Sequence, residues 1–124
     1  MKPRVLLSLL GLALPATSQA QTLDHATRKG IDAHAFQFSG RHCSGGIEAD
    51  SSSDNFTPSQ FRILALLLDE GLKEGAAENP AFRYKSNFNE KDLYRTTITA
   101  EGKSKFMMMF LNGSKLFTYS CDLK

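Results

Sequence analysis

The chain has no apolar run long enough to cross a bilayer, only two cysteines, and almost no charge of one sign left over. Each scarcity excludes something. A spanning helix needs about 20 predominantly apolar residues. The stretch from residue 5 to residue 14 is far shorter, and Ser8 and Gly11 interrupt it. The 15 Lys and Arg residues exceed the 13 Asp and Glu residues only by as many as lie at Lys2 and Arg4. The remainder is balanced, which removes the usual electrostatic basis for binding nucleic acid or an anionic membrane. No cysteine lies near residue 20, so an acylated N-terminal anchor is not expected. The three histidines, His25, His34 and His42, match no compact zinc spacing, and the cysteines are far apart. The Ser- and Asp-rich segment after Gly46 lacks a regular calcium-loop pattern. No cofactor and no metal is therefore expected, and no internal repeat is evident.

What is present begins with MKPRVLLSLLGLALPATSQA. A short basic start, an apolar middle, a breaking Pro15 and small residues at Ser18 and Ala20 have the order of a secretory signal peptide. Residues 1–20 are read as that leader, and residues 21–124 as a single domain of about 100 residues. The protein is expected outside the cytoplasm, periplasmic or secreted. An exported chain with two cysteines has one intramolecular pairing open to it, so a Cys43–Cys121 disulfide is expected. In the chain-entropy account a bridge closing so long a loop contributes about 4 kcal/mol. That is a large share of the roughly 5–10 kcal/mol that holds a small domain.

Along the domain, residues 22–34 read weakly as a short helix, with Leu23, Ala26, Thr27 and Ile31 on one side and Gly30 against it. Residues 35–43 alternate, Phe36 and Phe38 against Gln37 and Ser39, and read as a first strand. A Ser/Gly/Asp loop follows. The clearest helix covers residues 57–75. Thr57 caps it, Pro58 suits its first turn, Gln60 completes a capping box, and Phe61, Leu64, Leu68 and Leu72 recur at helical spacing. Residues 81–88, 92–100, 103–111 and 115–121 read as a meander. Asn112-Gly113 supplies its last hairpin turn. The fold class expected is α+β: one apolar helix on a curved antiparallel sheet of four to five strands, in strand–helix–meander order, with a short N-terminal helix. This order resembles that of cystatin-like folds. No cystatin motif accompanies it, so the resemblance implies nothing about function.

Strand parity sorts the last hairpin into two faces. A two-residue turn at Asn112-Gly113 would pair Met109 with Leu116 and Phe106 with Tyr119. Phe106, Met108, Phe110, Phe117, Tyr119 and Cys121 then share one face, expected to pack on the helix of residues 57–75. Met107, Met109, Leu111, Leu116 and Thr118 share the other. The stripe of Met107, Met109, Leu111 and Leu116 is either covered by the N-terminal segment around Leu23 and Ile31 or by a second copy, or is a candidate surface for a protein partner.

Catalytic residues are not assigned. His42 and Cys43 are adjacent, and in a strand adjacent side chains point to opposite faces, so they would not form a base–nucleophile pair. The three consecutive methionines raise copper, but alternation lets only Met107 and Met109 act together, and apolar packing accounts for them. Arg41 shares the face of Cys43 without an evident role. Two functions fit. The first is a small exported protein-binding or inhibitor/immunity-type module using the methionine stripe. The alternative is a small-ligand-binding or catalytic domain whose pocket, between helix and sheet, uses Tyr84, Tyr94, Arg95 and Tyr119.

Overall fold

The computed structural model describes residues 23–52, 55–90 and 92–124, the side chains of residues 89 and 90 excepted. The leader assigned to residues 1–20 lies outside them. Helix α1 (His25–Ser39) comes first, followed by the short strand β1 (Glu48–Ser51) and helix α2 (Pro58–Glu78). Strands β2 (Phe82–Glu90), β3 (Leu93–Ala100), β4 (Lys103–Asn112) and β5 (Lys115–Asp122) then form the meander. All five strands are antiparallel in one open sheet, ordered β1-β5-β4-β3-β2. The class is α+β with an antiparallel sheet, as the sequence implies, but the N-terminal helix runs further than expected and the first strand lies later.

Residues 35–43 are the reason. Most of them belong to α1, which is one continuous helix and not a short helix leading into a strand. Phe36 and Phe38 alternate with polar residues, yet Ile31 and Ala35 also stand four apart, and burial selects the helical period. Both are almost fully buried, whereas Phe36 remains 49% exposed. Asp24 caps the start, its carboxylate accepting from the Thr27 N–H at 2.7 Å. Gly40 ends the helix at φ +76°, a left-handed conformation that glycine adopts without strain, and its N–H donates to Phe36 O at 2.7 Å. The strand missing from that segment is β1, inside the Ser/Gly/Asp stretch, which pairs its four residues with β5.

Helix α2 follows its sequence signals closely. Thr57 and Gln60 exchange the two capping-box hydrogen bonds, at 3.1 and 2.9 Å. The hairpin registers two residues away from the expected pairing: Asn112 faces Lys115, Leu111 faces Leu116, and Phe106 faces Cys121. A shift of two preserves the parity, so the two face sets stand. Their partners do not. The aromatic face of Phe106, Met108, Tyr119 and Cys121 packs under α1, against Ile31 and Ala35. The methionine face packs under α2: Met109, Leu111, Leu116 and Tyr94 surround Phe61 and Ala65. Each sheet face thus has its own helix, and the candidate partner stripe is core. Met109, Leu111 and Leu116 are 3%, 6% and 5% exposed, and Met107 is half-buried.

Cys43 and Cys121 are disulfide-bonded, with Cα atoms 5.6 Å apart and a sequence separation of 78. The bridge holds the chain leaving α1 against β5. Cys43 also forms an isolated bridge with Leu123, and Ser44 N–H donates to Asp122 O at 2.7 Å. Arg41 acquires its role here. Its Nε donates to Lys124 O at 2.6 Å and its Nη1 to Ser104 Oγ at 2.9 Å, joining the end of α1 to the last residues and to β4.

Candidate functional site

Because the disulfide and Arg41 pull α1 toward β5 and β4, the helix does not cover the whole of its sheet face. On the uncovered part, β2 and β3 present Lys85, Asn87, Leu93 and Arg95, which the register places on one side. The flank of α1 supplies the opposite wall: His34, Gln37 and Phe38. These seven residues line an open groove of about 580 Å³.

The groove is basic. The Arg95 guanidinium lies 5.4 Å from the Phe38 ring centroid, and Lys85 Nζ lies 5.1 Å from the same ring. The aromatic face offsets part of the cost of bringing both cations together. Lys85 Nζ also donates to Phe38 O at 3.4 Å, and Arg95 Nη1 contacts His34 Nδ1 at 3.5 Å. Neither cation makes an ion pair with a described carboxylate. Arg95 Nε is buried and has no hydrogen-bond partner among the described residues, a state it shares only with Glu74 Oε1. A buried guanidinium donor left unpaired is costly, and an anion is the partner its geometry is made for.

A second hollow, about 760 Å³, lies on the outer side of α1 beside Asp32, Phe36 and His42. The His42 ring stacks on Phe36 at 4.5 Å, and His42 Nδ1 meets Asp32 Oδ2 at 2.7 Å. Asp32 Oδ1 accepts the Cys43 N–H at 2.8 Å. Burial pushes the Asp32 carboxyl up, but the hydrogen bonds from Cys43 and His42 outweigh it and hold the group below its ordinary range. A His–Asp pair needs a nucleophile to do chemistry. The neighbouring sulfur of Cys43 is spent in the disulfide, so this pair fastens the loop after α1.

The four residues of the alternative pocket are not brought together. Tyr84 and Tyr94 belong to the α2 side of the sheet, and Arg95 and Tyr119 to the α1 side, because Tyr94 and Arg95 are adjacent in one strand. Tyr94 is 2% exposed, and its hydroxyl donates to Asp69 Oδ1 at 3.3 Å. Ser86 Oγ donates to the same carboxylate. Burial and the Asp69 charge push the Tyr94 phenol far up, which keeps it a neutral donor fastening α2 to β3. Tyr119 is core beneath α1, stacked in line with Phe110. Of the four, Arg95 lines the groove beside α1, and Tyr84, Tyr94 and Tyr119 do not. Its true neighbours were missed, although His34 and Phe38 are four apart on α1, and Lys85 and Asn87 two apart on β2.

Among the described residues, no group of three or more His, Cys, Asp or Glu side chains is placed to hold a metal ion. No described helix is long and apolar enough to cross a membrane. Comparison with protein-family models and with curated proteins returns no match. Among solved structures, the putative lipoprotein LppA from Mycobacterium tuberculosis aligns over 98% of this chain and 72% of its own, at 17% identity and a TM-score of 0.32. A likeness that slight carries no argument about fold or function.

Proposed function

We propose that the chain is a small exported binding protein that captures an anionic ligand in the groove between α1 and strands β2–β3. The observation that carries this reading is Arg95: a guanidinium seated on Phe38, with a buried Nε that has no partner, and no carboxylate paired to it, among the described residues. Lys85 adds a second, exposed charge at the mouth, while Phe38 and Leu93 give apolar surface for the body of the ligand. The ligand class is a carboxylate or phosphate group on a compact apolar or aromatic frame. Export is supported by the order of residues 1–20 and by the disulfide, which persists in oxidising compartments.

Calorimetric titration with benzoate and with inorganic phosphate tests the reading. The wild type is expected to bind at least one of them with an affinity that falls as salt rises. Arg95→Met should weaken that binding at least about tenfold, the value of one lost charge-assisted contact. Equal affinity in wild type and variant would reject the groove as the site. A short polyglutamate peptide bound more tightly than either small anion would assign the anion to a protein partner, as an inhibitor-type module requires.

A further inference from the structure

Helix α2 has a second apolar face that the sheet does not use. Its inner side is committed: Phe61, Ala65 and Leu72 are buried. Ile63, Leu66 and Leu67 stand outward at 58%, 50% and 55% exposure. They recur at three- and four-residue spacing, so they form one stripe along the helix, not scattered apolar residues. Arg62 borders the stripe toward the N-terminus and Glu70 toward the C-terminus, both exposed. The Arg62 guanidinium sits 5.8 Å from the Phe88 ring centroid, which holds it at that border.

We infer that this stripe docks a second copy of the chain, with the two α2 helices antiparallel about a two-fold axis near Leu66. The charges single out that occupant. An antiparallel pair centred on Leu66 brings Arg62 of each copy opposite Glu70 of the other, and Ser59 opposite Lys73. Moving the axis half a residue, between Leu66 and Leu67, keeps Arg62 within one residue of Glu70. A parallel pair would instead set Arg62 against Arg62 and Glu70 against Glu70. Ile63, Leu66 and Leu67 from both copies then interleave at the axis, as an isologous contact requires. The contact lies on the opposite side of the sheet from the anion groove, and it does not depend on what the groove binds.

The test is sedimentation equilibrium of the purified disulfide-bonded protein across the micromolar range. A monomer–dimer equilibrium is expected. Arg62→Glu and Glu70→Arg should each weaken the dimer at least about tenfold. The double variant, Arg62→Glu with Glu70→Arg, should restore it, because the swapped charges again face each other. Leu66→Asp should leave monomer only. All three positions are exposed, and urea unfolding of each variant checks that the fold is kept. A wild-type mass of one chain at every concentration would overturn the inference. So would a double variant no better than either single one.

Discussion

At the scale of single residues, two charged side chains near the end of α1 do different work. Arg41 was the residue that strand parity left unexplained, and its bonds to Lys124 and Ser104 make it a fastener. Asp32 fastens the same loop from the helix side and carries a pH dependence. Its folded pKa is below its unfolded one, so its contribution is complete above the unfolded value, near 4, and is lost as pH falls through the folded value. Wild-type stability should therefore decline more steeply below about pH 4 than that of Asp32→Asn. Thermal unfolding between pH 7 and pH 2.5 measures the difference. Solvent screening of a partly exposed pair keeps it below about 1 kcal/mol. Identical pH profiles would show that the Asp32 contacts do not stabilise the folded state. Arg95 differs from both: its buried Nε has no hydrogen-bond partner among the described residues.

At the scale of elements, the two helices divide the sheet between them, and this changes what a methionine substitution reports. Met109→Lys places an ammonium beneath α2 among Phe61, Leu111 and Leu116. The expected cost is at least about 3 kcal/mol, read as a lower urea midpoint, whereas an exposed position would tolerate the change within about 0.5 kcal/mol. The parity of β4 and β5 was legible, because a two-residue turn keeps the same residues on each face whether it falls at Asn112-Gly113, as expected, or at Gly113-Ser114, as observed. Helix α2 was legible from its capping box. Helix α1 was not. Phe36 and Phe38 mimic a strand, and the competing pair Ile31 and Ala35 wins only once the aromatic face of the sheet is there to bury it. Cutting α1 short also misassigned the faces: the bulkier aromatic side was given to the longer helix α2. The groove was illegible for the same reason, since half of it is the flank of α1. The cysteine pairing needed no geometry, only a compartment and a count of two.

At the scale of the whole molecule, the disulfide connects stability to the site. It anchors the exit of α1 beside β5, and the position of α1 decides how much of β2 and β3 stays open. Replacing Cys43 and Cys121 together with Ala should lower unfolding free energy by about 2–4 kcal/mol, measured by urea titration. It should also weaken anion binding, because the wall carrying His34 and Phe38 loses its tether. A variant that is destabilised but binds as tightly would show that α1 is held by its packing alone. With α2 docked to a second copy, both grooves face away from the contact, and a dimer would offer two anion sites to a multivalent target.

The account rests on Arg95 as the receiver of an anion. The most direct measurement is a ¹H–¹⁵N NMR titration of the disulfide-bonded protein with benzoate, repeated on Arg95→Met. Saturable shifts concentrated at His34, Phe38, Lys85 and Arg95 are expected in the wild type, and their loss in the variant. Shifts that map elsewhere, or that survive the substitution unchanged, would contradict it.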